Sequence, residues 1–279
     1  MRVVLAVALD VLREAAARRW FQGLGAAISL VVLVLGAGLQ MEVIDGALAA
    51  TRFFGSMLTS GELSTTHAAL EPVFKAVAYV MFYGGLTFGC LSCADFGPEL
   101  LAPGRIEHLL SLPVRRWELL VGTFFGVFAL GTLLGLYGAL CFVALFSWKA
   151  GVWGAGLLGA AALASVSFAA IYAVMLAGAV FVRSSALSAA LGGALLIAGI
   201  VAGYREDLAP AFSPGLGRSA FELVTAPLPR LSRIADLAAL VAVGKGKPTA
   251  ELFRLLVGAG LFAGAALALG LWRFEQKDF

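Results

Sequence analysis

Few residues of this sequence could do chemistry by their type and spacing. Cys90 and Cys93 lie three residues apart within an apolar run, and thiolates are ligands that soft metals such as copper select. The pair supplies at most half of a metal site, so the two cysteines are weak metal candidates, and helix packing is the alternative. His67 and His108 are far apart in the sequence and form no constellation with the thiols.

The segment 244–249 superficially resembles a phosphate-binding loop. A P-loop requires Gly-x-x-x-x-Gly-Lys-Ser/Thr, in which backbone amides hold the phosphates and the hydroxyl binds Mg²⁺. Here Val241 stands where the first glycine is required, and Pro248 follows Lys247. We therefore predict a solvated turn, no nucleotide site, no catalytic residue and no enzymatic activity in this chain.

The composition defines the broad class of protein. Of the 279 residues, 61% are hydrophobic and 13% are charged, with a mean hydropathy of +0.96, whereas soluble domains contain about 45–50% apolar and about 25% charged residues. This excludes a cytosolic globular enzyme, a disordered chain and a nucleic-acid binder. Six stretches lack Asp, Glu, Lys and Arg: 20–41, 76–94, 119–148, 150–182, 184–204 and 255–272.

Each of these stretches is about as long as a membrane-spanning helix, which needs roughly 20 apolar residues. The sequence thus predicts an all-α membrane protein, a single transmembrane domain over 1–279 with six transmembrane helices. The predicted spans are 21–40, 74–93, 119–146, 154–182, 186–203 and 252–272. None of the charge-free stretches holds the ionisable residue that proton- or sodium-coupled carriers usually bury, which argues against a self-powered secondary transporter.

The cations in the short connections orient the chain. Six spans place both termini on one side, and the short segments of that side hold most of the short-segment cations, including Arg13, Arg18, Arg19, Arg105, Arg115, Arg116, Arg183, Arg273 and Lys277. The short segments opposite hold essentially Lys149 alone, so the positive-inside rule predicts cytoplasmic termini. The loops 41–73 and 204–251 are then extracytoplasmic.

Helical periodicity outside the spans predicts two amphipathic helices. Residues 1–19 segregate an apolar face from a charged one, which is typical of a helix lying in the membrane interface. Arg18 and Arg19 then anchor the first span. In the loop 204–251, apolar residues from Leu231 to Val241 recur at helical spacing and indicate a short interfacial helix, either a lid or part of an exit path.

The loop 94–118 is the most informative part of the sequence. Its apolar residues fall at helical spacing and predict a short amphipathic helix that Pro113 ends: Ile106, Leu109, Leu110 and Pro113. Arg115, Arg116 and Trp117 would anchor the following span at the membrane surface. Such a helix either docks in a groove of a soluble partner or lies on lipid, and physical reasoning leaves both open.

The sequence resembles a known family at this loop. The run 107–122, Glu-x-Leu-Leu-Ser-x-Pro-Val-x-Arg-x-Glu-Leu-x-x-Gly, resembles the cytoplasmic loop of ABC-2-type transporter permeases. The charged tail 273–279 and the opening helix with Arg18 and Arg19 are similar to the tail and the elbow helix of that family. Thr123 departs from the family pattern, which often places Lys after the glycine.

The resemblance implies a type V exporter-like ABC-2 architecture in the cytoplasmic (inner) membrane, with an elbow helix and a cytoplasmic coupling helix. It implies a homodimer that exports a substrate and docks two copies of a separate ATPase, which binds the ATP and Mg²⁺, so that no cofactor binds here. The lipid bilayer surrounds it, and an extracytoplasmic accessory protein is compatible with the loops. The expected ATPase contacts are Glu99, Arg105, Ile106, Glu107, His108, Leu109, Leu110 and Pro113. The alternative is a membrane scaffold that anchors or regulates a cytoplasmic partner without transport.

Overall fold

The computed structural model describes residues 2–44, 47–53, 56–59, 64–111, 113–211, 215–245 and 250–277. Within these ranges the side chains of residues 19–20 and 39–69 lie outside the description, including those of Arg19 and His67. Residues 246–249 of the turn predicted at 244–249 and the last two residues of the tail also lie outside it.

Helices make up most of the described chain. The helices before the third span are α1 (Arg2–Ala17), α2 (Arg19–Gly38), α3 (Thr66–Tyr79), a π-helical turn (Val80–Gly84), α4 (Gly85–Ser92), α5 (Phe96–Leu100) and α6 (Arg105–Ser111). The remaining ones are α7 (Arg116–Ala150), α8 (Gly156–Phe181), α9 (Ser185–Gly203), α10 (Arg205–Leu208), a 3₁₀ turn (Ala209–Ala211), α11 (Leu216–Thr225), α12 (Leu231–Ala242) and α13 (Ala250–Glu275).

Six helical segments are long and apolar enough to cross a membrane: Phe21–Gly38, Leu70–Leu100, Arg116–Ala150, Gly156–Phe181, Ser185–Gly203 and Ala250–Glu275. Most ends of these segments lie within a few residues of the ends of the six predicted spans. The prediction of a helical multi-pass membrane protein is thereby confirmed. Six crossings return the chain to the side where it began, and we call that side the terminal end. The other side is the opposite end.

A small antiparallel sheet interrupts the helical fold between α2 and α3. Its strands are β1 (Leu39–Ile44), β2 (Ala47–Phe53), β3 (Ser56–Thr59) and β4 (Ser64–Thr65). Strand β2 pairs with all three others. The sequence predicted only an extracytoplasmic loop here, so this sheet is an addition to the predicted all-helical fold.

Helix α8 forms the centre of the bundle. In its most apolar window 72% of the residues are buried, against 22% for α2 and 17% for α13, as expected for a helix that is apolar on every side. Glycines of α8 and of its neighbours allow close approach: a Cβ atom at Gly131 of α7 would lie 2.9 Å from the Phe168 ring, and one at Gly178 of α8 would lie 2.3 Å from Leu191 Cδ1.

Helix α12 confirms the predicted helix but lies within the bundle rather than on a membrane surface. Leu231, Ile234 and Ala238 are at most 1% exposed, because α12 packs across the ends of α8, α9 and α3. Both ends of α12 lie against glycines of neighbouring helices, where a larger side chain would clash. A Cβ atom at Gly203 of α9 would lie 1.8 Å from Ser232 Oγ, and one at Gly156 of α8 would lie 2.2 Å from the Val241 carbonyl oxygen.

Candidate functional site

The predicted helix of the loop 94–118 is present as α6. Gly104 begins it with a φ of +81°, a left-handed conformation that side chains with a Cβ atom rarely adopt. At its other end the Ser111 hydroxyl donates a hydrogen bond to the His108 carbonyl oxygen at 2.7 Å. The chain therefore makes a turn at Gly104 before α6, so that α6 stands as a separate short helix at the terminal end.

The apolar side of α6 faces its own bundle. Ile106 is 1% exposed, and Leu109 and Leu110 are half-buried against the same core. The exposed side chains of α6 itself are polar, namely Glu107, His108 and Ser111, and Pro113 beyond the helix is also exposed. The three apolar residues expected to contact a partner thus hold the helix to the protein, because α1, α5 and α7 already offer them an apolar surface.

Two further predicted contact residues pair with the N-terminal helix. Glu14 of α1 accepts hydrogen bonds from Arg105 Nη2 at 2.7 Å and from Arg18 Nη2 at 2.7 Å. Arg18 also forms an ion pair with Glu99 and lies 4.7 Å above the Phe96 ring. We call Glu14, Arg18, Glu99 and Arg105 the terminal ion-pair network; it joins α1 to the segment that carries α5 and α6.

Electrostatics keep this network charged. The hydrogen bond from Arg105 lowers the pKa of Glu14 to about 2; partial burial opposes the shift, and Arg18 adds to it. Since that pKa is far below neutrality, Glu14 stays ionised and the two arginines keep their shared partner. The network is therefore a permanent connection between α1 and α6 at physiological pH.

Helix α1 also packs tightly on α7. A Cβ atom at Gly122 would lie 2.6 Å from Val7 Cβ, and one at Gly126 would lie 2.8 Å from Val11 Cβ and 3.0 Å from the Ala8 carbonyl oxygen. The predicted N-terminal helix is present, but one side of it is buried against the protein, while Leu5 remains 63% exposed. Its partly apolar outer side is what the membrane interface can receive.

A cavity of about 300 Å³ lies between these elements. Its walls come from α1, α5, α6 and the start of α7, and they are mostly apolar. Leu109 of α6 and Val114 line one part of it, and the paired side chains of Glu14 and Arg105 also border it. The cavity leaves free space beside Leu109, so the apolar side of α6 is only partly filled by its own bundle.

The predicted anchor residues have different surroundings. The Arg116 guanidinium donates to the carbonyl oxygens of Glu275 at 3.1 Å and Lys277 at 2.7 Å, and so satisfies carbonyls beyond the last turn of α13. Arg115 and Trp117 are exposed, and their membrane anchoring stays a prediction. Arg116 thereby connects α7 to the end of α13.

The two cysteines of the weak metal prediction are both buried. A Cβ atom at Gly192 would lie 2.6 Å from Met175 Sδ and 3.1 Å from Cys90 Sγ, which places a thioether that the sequence did not point to beside one of the thiols. Within the described residues no group of three His, Cys, Asp or Glu side chains could hold a metal ion. A metal role for Cys90 and Cys93 stays a prediction.

One polar contact at the opposite end was missed from the sequence. Tyr79 of α3 donates a hydrogen bond to Asp236 of α12 at 2.8 Å, although 157 positions separate them. The available signal was Asp236 itself, the only carboxylate within the mostly apolar helical pattern of 231–242. Periodicity identified that helix but could not indicate its neighbour.

A comparison with protein-family models found no match to this chain, and a comparison with curated proteins found none either. The sequence motifs and the geometry of the terminal end are therefore the features that bear on the function of this chain.

Proposed function

We propose that this chain is the membrane-spanning permease subunit of an ATP-driven ABC-2-type transporter, and that it exports a substrate across the cytoplasmic membrane. The observation that carries the proposal is α6, a short helix between the second and third spans whose polar side is exposed and whose sequence carries the family-like motif. A chain with no nucleotide-binding motif needs an external source of energy, and a separate ATPase that binds ATP and Mg²⁺ would supply it.

The connections of α6 support a role in force transmission. An ATPase that pushes on the exposed side chains of Glu107 and His108 would move a helix joined to α1 through Glu14 and Arg105. Because α1 packs without space against Gly122 and Gly126 of α7, that movement would be passed to the third span. Interlocked backbones transmit displacement in this way because packed interfaces resist compression.

This proposal changes the expected docking surface. Of the residues that the resemblance pointed to, we assign the partner contact to Glu107, His108 and Pro113, which are exposed. Glu99 and Arg105 would act by holding α6 in place, and Ile106, Leu109 and Leu110 by fixing its apolar side. A second copy of the chain, the inner membrane and cytoplasmic termini belong to the same proposal.

The test is purification of the tagged chain in mild detergent from its native host, with identification of co-purifying proteins by mass spectrometry. We expect an ATPase with a P-loop, two copies for two copies of this chain, and ATP hydrolysis by the complex. Purification without any ATPase would contradict the transporter and favour the scaffold.

The docking surface is tested separately with the double variant Glu107→Lys, His108→Asp. These side chains are exposed, so the variant is expected to fold normally and to lose at least about tenfold in ATPase affinity, a usual effect of altering central interface residues. Lys149→Glu, an exposed charge change in the last turn of α7, is the matched control and is expected to bind normally. Undiminished binding of the double variant would reject α6 as the docking site while leaving the permease proposal standing.

A further inference from the structure

Aromatic side chains surround one carboxylate at the opposite end of the bundle. The Tyr79 hydroxyl donates to Asp236 at 2.8 Å. Tyr79 and Tyr83 stack with their ring centroids 6.4 Å apart and their planes 5° from parallel. Tyr204, which follows the last residue of α9, lies within electrostatic range of both of these tyrosines. Tyr79 thus connects the acid of α12 to a stacked pair of phenol rings on the second span, and Tyr204 lies near that pair.

Asp236 lacks the cationic partner that several other carboxylates at this end have. Glu71 pairs with Lys75 and Lys245, and Glu206 pairs with Arg230. Even Arg233, three positions before Asp236 on α12, forms its ion pairs with Glu206 and Asp207. Over the part of the chain that the structure describes, no lysine or arginine forms an ion pair with Asp236.

A carboxylate in this position is expected to attract a positive charge. It is partly buried on a helix whose other side chains are mostly apolar, and a single phenol hydrogen bond does not neutralise it. Removing charge from water is unfavourable unless an opposite charge or several hydrogen bonds replace the water. The site therefore has a negative charge to compensate.

The backbone at this site is also irregular. The π-helical turn Val80–Gly84 begins directly after Tyr79 and contains Tyr83. π-helical turns are rare, and single turns of this kind occur frequently at functional sites. Tyr204 is 41% exposed, so the cluster extends to the surface of the protein at this residue.

We propose that Tyr79, Tyr83, Tyr204 and Asp236 form a binding site for an organic cation with a compact ammonium head group. Aromatic faces attract such cations through the negative face of the ring, and quaternary ammonium groups are bound by clusters of this composition. The carboxylate supplies the opposite charge, and the rings exclude water that a small inorganic cation would keep. The proposed binding site depends only on this geometry. The further step, that the bound cation is the transported substrate, depends on the proposed function.

The experiment measures binding of choline to the purified chain in detergent by saturation-transfer NMR. The comparison ligand is its uncharged isostere, in which a tert-butyl group replaces the trimethylammonium group. We expect choline to bind at least about tenfold more tightly than the isostere. Equal binding of the two would identify a mere apolar crevice and overturn the proposal, as would the absence of choline binding.

Variants assign the interaction to these residues. Asp236→Asn keeps an acceptor for Tyr79 and is expected to weaken choline binding about tenfold; Tyr83→Leu is expected to do the same, whereas Tyr83→Phe keeps the ring face and the affinity. Asp207→Asn and Tyr137→Leu are the matched controls, since these residues pair with Arg233 and Ser29. Wild-type affinity in Asp236→Asn or Tyr83→Leu would overturn the assignment. The choline assay needs no ATPase, so the two proposals can fail separately. If choline binds but the purification from the native host yields no ATPase, the cation site stands and the transporter is rejected.

Discussion

Glu14 is the residue on which the terminal end depends electrostatically. One carboxylate serves both Arg105 and Arg18, at 2.7 Å each, and its side chain is 26% exposed. A partly buried acid that serves two cations contributes more than an exposed surface pair, because removing it leaves two positive charges close together. The effect of this side chain can therefore be measured directly.

We expect Glu14→Gln to lower the free energy of unfolding by about 1–3 kcal/mol at pH 7. The pKa of Glu14 is lowered from 4.5 to about 2 in the folded protein, mainly by the hydrogen bond from Arg105. The contribution is therefore complete above pH 4.5 and is lost as the pH falls toward 2. Thermal unfolding in detergent between pH 7 and pH 3 checks this, since the difference between wild type and variant should shrink over that interval.

Asp10 provides the matched control for this prediction. It is an exposed carboxylate one turn before Glu14 on α1, and Asp10→Asn is expected to change the free energy of unfolding little. A difference between wild type and Glu14→Gln that stayed constant down to pH 3 would show that packing rather than charge explains the effect.

At the scale of elements, close backbone approach decides how α1 is held. Gly122 and Gly126 lie one turn apart on α7, and both allow α1 to approach closer than any side chain would permit. At Gly126 the nearest atoms include the Ala8 carbonyl oxygen at 3.0 Å and Ala8 Cα at 3.1 Å, which cannot rotate away as a side chain would. The interface is thus specific for glycine.

Gly126→Ala is expected to destabilise the protein by about 1–3 kcal/mol, because the added methyl group forces α1 and α7 apart. Gly260→Ala on α13 is the matched control: a Cβ atom there meets nothing within 4 Å, so the substitution should be neutral or stabilise by up to about 1 kcal/mol through helix propensity. Thermal unfolding of both variants in the same detergent tests this. Equal stability of the two variants would mean that α1 adapts to the extra volume.

Elements were predictable from the sequence to different degrees for physical reasons. The spans were predictable because burial in lipid forbids charges over about 20 residues, which leaves a long, unambiguous pattern. Helix α6 was predictable from spacing, but the direction of Ile106 was not, since an apolar side chain packs equally well against a partner or its own bundle. The same ambiguity applied to Leu231 of α12, which was expected at an interface and is buried.

Pairings between distant positions were beyond what the sequence could indicate. Periodicity reports which side of a helix is apolar and says nothing of the helix opposite it. Glu14 and Arg105, like Tyr79 and Asp236, meet only because the spans between them fold back on one another. The sequence therefore predicted the loop 94–118 that contains the candidate site, whereas most contacts within the site were found only in the structure.

At the scale of the whole molecule, the two ends differ in what holds them together. The terminal end is joined by the terminal ion-pair network and by tail contacts such as Lys277 Nζ donating to the Val180 carbonyl oxygen at 2.8 Å. The opposite end is covered by α12 and by the ion pairs of Glu71 and Glu206. A transporter with its ATPase at the terminal end and its ligand site at the other requires one orientation only.

That orientation gives a prediction for the intact cell. In a chain whose cysteines are replaced by serine, new cysteines are placed at His108 and Ser184 for the terminal end and at Ala211 and Lys245 for the opposite end. A membrane-impermeant maleimide should label the second pair in intact cells and the first pair only after the membrane is permeabilised, because the excess of short-segment cations predicts that the terminal end lies in the cytoplasm.

The reversed pattern would place α6 outside the cell, where no ATP-hydrolysing subunit could reach Glu107 and His108. The cation site of Asp236 would then face the cytoplasm and could only receive a ligand from within. Labelling of all four positions in intact cells would instead indicate a mixed orientation, which a bundle with a single positive end should not permit. Labelling therefore decides at once whether the docking helix and the cation site lie on the sides that export requires.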